Sequence, residues 1–350
     1  MKKIGVLTGG GDCPGLNATI RSVVRRGITE FNYDMFGIMA GWKGLIEGNI
    51  KAFDMNSVSG ILHKGGTIIG TSRTNPFRED NKGDPERILE NIKKFDLHAI
   101  VTIGGEDTQG VAFKLSEMGV NVVGIPKTID NDLPGTDYTF GFDTAVNIAV
   151  EAIDRIHTTA ESHNRVMVVE VMGRHAGWIA TFAGIAGGAD LILIPEIPVD
   201  MEEVYTIIKK RHSRGKNFSI VVVSEGIKLP VEENKNEELV LQSTKTDAFG
   251  HVMLGGVGSV LANMIEKETG FESRCTVLGH IQRGGTPTAF DRILSTRFGF
   301  AAIDLIHKGE FGKIVALKGN EIKSIELKEV MGRFKLVDDY WYNLSKVFFG

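Results

Sequence analysis

Continuous runs of aliphatic residues recur along the chain without the polar alternation of a half-exposed strand. Such runs are typical of strands that are buried on both faces of a parallel sheet. The six runs are residues 3–7 (KIGVL), 99–103 (AIVTI), 121–125 (NVVGI), 166–172 (VMVVEVM), 190–196 (DLILIPE) and 218–227 (FSIVVVSEGI). We predict that each of them forms a sheet strand.

Segments in which apolar residues recur with helical spacing lie between these runs. They are residues 16–31, 108–118, 145–162, 201–212 and 288–310. Repeated alternation of strand and helix predicts a doubly wound α/β architecture. The polar stretch 230–246 (PVEENKNEELVLQSTKT) interrupts this alternation, and we expect it to be a surface insertion with a solvated run of charges.

Length and charge limit the classes of partner. A chain of 350 residues indicates two domains or one large α/β unit, and its 42% hydrophobic residues suffice for a buried interior. The net charge of -4 is dispersed, so we expect neither nucleic acid nor a membrane surface as a partner. An anionic ligand must therefore be held by a local cluster of cations.

The chain carries no feature that predicts secretion. Cys13 and Cys275 are too few for a disulfide framework and are expected to be reduced thiols. The apolar run at the N-terminus is too short for a signal peptide, and no stretch approaches the length of a membrane span. We expect a cytoplasmic protein.

Two glycine-rich stretches follow predicted strands, where ligands bind in open α/β sheets. TGGGDCPGLN (8–17) can bring backbone amides close to an anion at a helix N-terminus, although it has neither a GK[ST] ending nor G-x-G-x-x-G spacing. A plain tight turn is the alternative. GGEDTQG (104–110) can simply cap a helix with its carboxylates, but its two glycines favour close approach of a phosphate or Mg²⁺.

PKTIDND (126–132) places a cation and two carboxylates on one turn. Asp130 and Asp132 are two residues apart and are expected to point to the same side, where one can accept a proton and the other can meet a metal ion. Lys127 supplies a point charge for a phosphate. A salt-bridged surface turn is the alternative interpretation of this motif taken alone.

Arginines and a histidine stand near the ends of other runs. Arg73 lies in GTSR, Arg165 precedes the run 166–172, and Arg274, His280 and Arg283 lie within RCTVLGHIQRGG. The guanidinium group matches the geometry of phosphate oxygens. A single arginine is most often a surface ion pair, whereas this set at the strand ends of one sheet indicates phosphate binding.

The motifs GGGDCPGLN, GTSR, GGEDT, PKTIDND, VEVMGRHAGW, SEG and LGHIQRGG, in this order, resemble those of the 6-phosphofructokinases. The resemblance covers residues 3–306 and is weak beyond residue 310. It implies two Rossmann-like three-layer α/β/α domains with mostly parallel sheets. The larger, phosphoryl-donor domain would comprise residues 1–141 and about 287–335, and the smaller, fructose-6-phosphate domain residues 142–286 and about 336–350, with the insertion near 230–246.

The resemblance also implies residue roles. Asp130 is the general base for the 1-hydroxyl of the sugar, and Thr128 orients the transferring phosphoryl group; Lys127 and Arg174 complete the catalytic set. The donor site comprises Gly11, Arg73, Asp107, Thr108 and Lys127. The sugar-phosphate site comprises Thr128, Asp130, Asp132, Arg165, Met172, Gly173, Arg174, Glu225, Arg274, His280 and Arg283. Glu106 is the expected Mg²⁺ ligand.

Arg165 and Arg274 enter the site from a neighbouring subunit in this family, which implies a homodimer or homotetramer. Arg21, Arg25, Arg214 and Lys216 match the family's effector-binding cations, but Met55 and His157 replace two arginines. Control by an effector is therefore left open.

Two residues predict the phosphoryl donor. ATP-dependent members commonly have GGDG and PGTIDND, whereas Asp107 and Lys127 stand here in place of two of these glycines. A carboxylate at Asp107 repels the α-phosphate of ATP, and the Lys127 ammonium suits a diphosphate. The prediction is reversible, pyrophosphate-dependent phosphorylation of fructose 6-phosphate in glycolysis or gluconeogenesis. An ATP-dependent enzyme and a non-catalytic sugar-phosphate sensor are the alternatives.

Overall fold

A computed structural model describes residues 1–81, 83–230, 237–239, 241–246, 248–250 and 252–350. Its helices are α1 (Leu16–Phe31), α2 (Trp42–Glu47), α3 (Asp84–Lys94), α4 (Glu106–Glu117), α5 (Phe142–His163), α6 (Trp178–Ala186), α7 (Met201–Ser213), α8 (Val257–Thr269), α9 (Ala289–Lys308) and α10 (Asp339–Lys346). Short 3₁₀ helices span Glu79–Asn81, Gly279–Arg283 and Leu327–Val330.

The strands are β1 (Lys3–Thr8), β2 (Asp34–Ile38), β3 (Ile50–Phe53), β4 (Leu97–Gly104), β5 (Val122–Pro126), β6 (Val166–Val171), β7 (Leu191–Leu193), β8 (Ser219–Ser224), β9 (Lys228–Pro230), β10 (Glu237–Leu239), β11 (Leu241–Thr246), β12 (Val252–Leu254), β13 (Ser273–Val277), β14 (Lys313–Lys318) and β15 (Glu321–Glu326).

A seven-stranded sheet has the order β15-β14-β5-β4-β1-β2-β3 in the described chain. Its neighbours from β2 to β14 are parallel, and only the edge strands β3 and β15 run antiparallel. The central strands are buried on both faces, because helices cover each side of the sheet. This arrangement explains why the aliphatic runs show no polar alternation.

A second sheet has the order β13-β6-β8-β7, and all of its described pairs are parallel. Every residue of β6 and β8 is buried. The carboxyl ends of parallel strands lie at one edge of a sheet, so the loops that follow β6, β8 and β13 are brought together. The two layered sheets confirm the predicted α/β fold with mostly parallel strands.

All six predicted strands and all five predicted helices are present. β7 is shorter than the predicted strand at 190–196, because Pro195 lacks an amide donor and the chain turns between Ile194 and Ile197. α6 was not predicted, since its sequence WIATFAGIA is apolar on nearly all sides and carries no helical period. Other missed elements include α3, α8, β2, β14 and β15.

The predicted insertion at 230–246 is only partly described. β9 pairs with β10 and β11 pairs with β12, each as a separate antiparallel two-stranded sheet. Residues 231–236 and 240 of the insertion lie outside the described residues. The assignment of a surface insertion and the division of the chain into two domains stay predictions. No described helix is both long and apolar enough to cross a lipid bilayer.

Candidate active site

A cavity collects the loops that follow the carboxyl ends of strands in both sheets. The loops after β1, β4 and β5 come from the seven-stranded sheet, and those after β6, β8 and β13 come from the four-stranded sheet. The predicted residues that line it are Gly11, Arg73, Glu106, Asp107, Thr108, Lys127, Thr128, Asp130, Asp132, Met172, Arg174, Glu225, His280 and Arg283. Fold topology thus brings together motifs that are far apart in the sequence.

Three predicted residues do not line this cavity. Gly173 lies behind it with φ of 138°, and its carbonyl accepts a hydrogen bond from the Ser224 hydroxyl at 2.6 Å. Arg165 and Arg274 both pair with Glu272, at 2.8 and 2.5 Å. Their placement outside the cavity of a single chain agrees with a role in a neighbouring subunit, which stays a prediction.

The glycines after β1 leave space for neighbouring side chains, a role that the sequence did not indicate. A side chain at Gly9 would collide with Thr108, and one at Gly11 would collide with the guanidinium group of Arg283. Gly10 has a φ of 75°. The loop therefore makes room for two side chains of the protein itself, while Gly10 and Gly11 also line the cavity, so anion binding by this loop stays a prediction.

The N-terminal turn of α4 lines the cavity, whereas the start of α1 is buried. Gly104 makes room for the Thr108 side chain, so this glycine serves internal packing. At Gly105 an added side chain would meet only the Lys127 carbonyl, at 3.5 Å, so this position leaves space beside the cavity. No side chain among the described residues caps either helix, so it is the exposure of its first turn to the cavity that makes α4 the better of the two predicted anion sites.

Lys127 connects the loops after β5 and β1. Its side chain is buried, and Nζ donates a hydrogen bond to the Gly11 carbonyl at 2.5 Å. Burial lowers the pKa of Lys127, while nearby Asp12 and Asp130 oppose that change. The ammonium group is thus fixed at the cavity wall and is not on a mobile surface side chain.

The TIDND turn has a defined local geometry. The Thr128 hydroxyl accepts a hydrogen bond from the Asp130 amide at 3.1 Å, which leaves its own O–H group free to donate to a ligand. Asn131, with φ of 51°, is buried and accepts from the Thr139 amide at 3.0 Å. Asp130 and Asp132 on either side of it both line the cavity, which confirms that they share one side.

Asp130 stands in an environment suited to a base. Its Oδ1 is buried and has no hydrogen-bond partner among the described residues. Burial raises the pKa of Asp130, and the positive charges of Arg283, Arg174 and Lys127 oppose this increase. An unsatisfied carboxylate oxygen in a cavity is poised to accept the proton of a bound hydroxyl group.

Two further carboxyl groups in the cavity titrate near neutral pH. Burial, aided by the charge of Asp130, raises the pKa of Asp132 to about 7 and that of Glu225 to about 7. Perturbed acids of this kind concentrate at functional sites. They can accept or donate hydrogen bonds to sugar hydroxyls according to their protonation.

Several residues of the cavity wall were missed by sequence reasoning. His175, Phe249, Leu254 and Phe334 line the cavity, and the Phe334 ring stacks on His175 with centroids 4.1 Å apart. His175 lies inside the motif GRHAGW and could have been identified from it. Phe334 lies beyond residue 310, where the resemblance carries no information.

The carboxylates fit a magnesium ion that is held partly by substrate. No group of three or more His, Cys, Asp or Glu ligands occurs in the part of the chain that the structure describes. Glu106 and Asp107 line the cavity together with Asp130, whose Oδ1 is unsatisfied. Mg²⁺ is commonly bound by one or two carboxylates together with substrate phosphates and water, so these residues suffice.

Comparisons with known proteins identify the family of the whole chain. The phosphofructokinase family model matches residues 3–306. The pyrophosphate–fructose 6-phosphate 1-phosphotransferase of Streptomyces coelicolor is 56% identical over 99% of this chain and 100% of its own length. The ATP-dependent 6-phosphofructokinase 3 of the same organism is 48% identical over 97% of this chain and 98% of its own length. The crystal structure of Pichia pastoris phosphofructokinase matches with a TM-score of 0.82 and 31% identity over 94% of this chain, and this chain spans 35% of that longer one.

Proposed function

This chain belongs to the phosphofructokinase family, and from that premise we propose that it is a pyrophosphate-dependent 6-phosphofructokinase. It transfers a phosphoryl group from diphosphate to the 1-hydroxyl of D-fructose 6-phosphate and releases phosphate and fructose 1,6-bisphosphate. The reaction is reversible, because the phosphoanhydride bond of diphosphate is similar in energy to the phosphoester bond that forms.

Asp130 starts the transfer. Its unsatisfied Oδ1 removes the proton of the 1-hydroxyl, whose oxygen then forms a bond to the near phosphorus of diphosphate. The bond from that phosphorus to the bridging oxygen breaks, and the second phosphate leaves with the electron pair. The Thr128 hydroxyl donates to the transferring phosphoryl group, since phosphoryl oxygens only accept hydrogen bonds and the amide of Asp130 leaves this O–H available.

Cations stabilise the charge that is redistributed during transfer. The positive charges of Lys127, Arg174 and Arg283 counteract the increase that burial causes in the pKa of Asp130, so these cations lie near the reacting groups. Fixed charges in a partly buried cavity stabilise a transition state more than the same charges would in water. His280 and Arg283 supply groups for the 6-phosphate, and Glu225 and Met172 line the sugar side.

The single observation that supports diphosphate as the donor is the position of Asp107 and Lys127 in one cavity. Lys127 is anchored on Gly11 and offers its charge to a diphosphate oxygen. Asp107, in the first turn of α4, places negative charge where a nucleotide would bring its α-phosphate. Overall identity separates the two donor classes poorly, since an ATP-dependent relative is 48% identical, so these residues carry the assignment.

We also propose that Glu106, together with the phosphates of the donor, would hold Mg²⁺. The ion supplies charge neutralisation of the diphosphate when it is bound. Asp107 and Asp132 line the same cavity and can hold water molecules of the ion's hydration shell. Lys127, Arg174 and Arg283 keep the roles given above whether or not the ion helps to orient the diphosphate.

The functional unit is proposed to be a homodimer or homotetramer in which Arg165 and Arg274 bind the 6-phosphate in a neighbouring subunit. β13, which carries Arg274, is an edge strand of its sheet. Val277 and Ile281 beside it are 48% and 67% exposed, which supports burial of this edge against a second copy. The donor domain and sugar-phosphate domain correspond in this proposal to the seven-stranded and four-stranded sheets.

The deciding experiment offers two donors in parallel to one preparation of the protein. Turnover of fructose 6-phosphate with Mg²⁺ is measured with diphosphate and with ATP, and fructose 1,6-bisphosphate is quantified. We expect kcat/KM for diphosphate to exceed that for ATP by at least about a hundredfold. A higher value with ATP would reject the donor assignment, and binding of fructose 6-phosphate without turnover would indicate a sensor.

A further inference from the structure

The segment that joins the 3₁₀ helix Leu327–Val330 to α10 runs along the cavity; we call residues 332–337 the strap. The Gly332 amide donates to the carboxylate of Glu106 at 3.4 Å. The Phe334 ring lines the cavity, stacks on His175 at an interplanar angle of 17° and is 38% exposed. The strap therefore contacts residues on the donor side and on the sugar side of the cavity.

Lys335 of the strap is bonded to the turn that carries the proposed base. Its amide donates to the Asp132 carbonyl at 2.7 Å. Its Nζ donates to the Thr136 carbonyl at 3.0 Å and to the Asp137 carbonyl at 2.8 Å. Three hydrogen bonds from one residue thus hold the segment 132–137, directly after Asp130.

The same residue is bonded to the opposite wall. The Trp178 indole N–H donates to the Lys335 carbonyl at 2.7 Å, and Lys335 Nζ lies 5.3 Å from the centroid of that indole. Trp178 begins α6, directly after the loop that carries Arg174. Val337 strengthens this attachment, because its amide donates to Glu196 at 2.9 Å and Glu196 also accepts from Gly177.

We propose that the strap is part of the active site: Lys335 is a positioning residue that holds the Asp130–Asp132 turn against the Arg174 loop, and Phe334 covers the cavity through its stack on His175. The assay of this inference rests on the proposed function. The physical reason is geometric, since phosphoryl transfer depends on the alignment of base, hydroxyl and donor, and a small displacement costs much of the rate. An exposed ring beside a cavity also gains burial when ligand fills it.

Lys335→Met tests the positioning role, because it removes the two hydrogen bonds that Nζ donates to the Thr136 and Asp137 carbonyls but keeps both backbone hydrogen bonds of Lys335 and the aliphatic stem beside Trp178. We expect kcat to fall at least about tenfold while KM for diphosphate and for fructose 6-phosphate changes less than about threefold. Lys323→Met, at an exposed lysine on β15, is the matched control and should retain kcat within about twofold. A wild-type kcat in Lys335→Met would overturn the proposal.

Phe334 is tested with a conservative partner variant. Phe334→Ala should lower kcat/KM for fructose 6-phosphate at least about fivefold, whereas Phe334→Tyr, which keeps a ring over His175, should stay within about twofold. The Tm of both variants should remain close to that of the wild type, because the ring is exposed. Equal activity of the alanine and tyrosine variants would contradict a covering role.

Amide hydrogen exchange separates failure of this inference from failure of the proposed function. Exchange of residues 130–137 should be faster in Lys335→Met than in the wild type, and unchanged in Lys323→Met, regardless of which substrate the protein uses. Equal exchange rates in Lys335→Met and wild type would overturn the clamp on the turn. Absence of turnover in the wild type with either donor would instead reject the proposed function.

Discussion

At the scale of single residues, the site is defined by what surrounds each charge. Asp130 has an unsatisfied buried oxygen beside three cations, and Lys127 has its ammonium fixed on a backbone carbonyl. Burial raises the pKa of Asp130 and lowers that of Lys127, and nearby charges of opposite sign counteract both changes. These environments fit a general base and a phosphate-binding cation better than a salt-bridged surface turn.

Asp130→Ser should lose turnover by about 10² to 10⁴-fold, because the variant has no base at the position of the sugar hydroxyl. Binding of fructose 6-phosphate, measured by calorimetric titration, should remain within about threefold of wild type. Asp154→Ser, on the exposed side of α5, serves as the control and should keep full activity. Retention of kcat in Asp130→Ser would assign the base elsewhere.

The donor pair is tested by replacing both residues. Asp107→Gly combined with Lys127→Gly should lower kcat/KM for diphosphate at least about tenfold and raise that for ATP, because a repelling carboxylate and a diphosphate contact are removed together. The ratio of the two values in one preparation is the readout, since it does not depend on the folded fraction. An unchanged ratio would mean that other residues select the donor.

At the scale of elements, the N-termini of α4 and α8 differ in what binds their backbone amides. The first turn of α4 faces the cavity without a side-chain cap. The first turn of α8 is instead occupied by the protein itself, because the buried Glu170 of β6 accepts from the Gly256 amide at 3.0 Å and from the Gly258 amide at 2.8 Å. One helix end thus remains available to a ligand while the other stabilises the fold.

Glu170→Gln should destabilise the protein by about 1–3 kcal/mol, because the amide offers one acceptor oxygen where two backbone N–H groups now bind a carboxylate. The free energy of unfolding is measured in urea. Glu202→Gln, which changes an exposed carboxylate in the first turn of α7, should cost no more than about 1 kcal/mol. An equal decrease in the free energy of unfolding in the two variants would show that burial of the Glu170 hydrogen bonds does not add to stability.

At the scale of the whole molecule, the cavity forms where two parallel sheets present the carboxyl ends of their strands to each other. The strap, late in the sequence, then ties residues of both walls together. Burial of acids in such a cavity opposes folding, so a cost in stability accompanies the function. The placement of Arg165 and Arg274 outside the cavity of a single chain makes subunit assembly part of the proposed mechanism.

The stability cost can be measured through pH. The pKa of Glu225 is raised from 4.5 to about 7 in the folded protein, so the folded state holds a proton that the unfolded state releases between these values. This group's contribution to stability is present below 4.5 and is lost as pH rises through about 7. From about pH 5 to about pH 8, wild type should lose up to about 3 kcal/mol more than Glu225→Gln in urea unfolding.

Glu90→Gln, an exposed change on α3, is the control for that measurement and should retain the pH dependence of wild type. If the stability of Glu225→Gln decreases with pH as steeply as that of wild type, the proton on Glu225 does not explain the loss. Other buried acids of the cavity, above all Asp132, would then cause the decrease in stability with increasing pH.

The proposed sharing of the site between subunits predicts complementation. Asp130→Ser and Arg274→Ala should each be inactive alone, whereas a mixture dissociated and reassembled at equal amounts should recover up to about a quarter of the wild-type sites in a dimer. Only hybrids combine an intact Asp130 in one chain with an intact Arg274 in the other. Failure to recover activity, with hybrid formation verified by mass, would place Arg274 outside the shared site.

The sequence by itself determined the fold class and most of the cavity wall. Aliphatic runs that lack alternation report burial on both faces, and residues after strand ends converge in any parallel sheet, so the glycine-rich loops and the TIDND turn could be placed at one edge of the sheet. The donor pair was identified only by comparison with the ATP-dependent members of the family that the sequence resembles. The resemblance extended these assignments to residues such as Met172 and Glu225.

Only the tertiary structure decided which residues contact each other when they are far apart in the sequence. Gly9 and Gly104 are glycines because the Thr108 side chain fills the space beside them. The strap, near the C-terminal end of the chain, is hydrogen-bonded to Asp132. The uniformly apolar α6 and the raised pKa of Glu225 likewise depend on what packs around them. Sequence periodicity reports local conformation and average burial. The features above arise from contacts between distant segments, and the periodicity of one segment carries no information about which other segment it contacts.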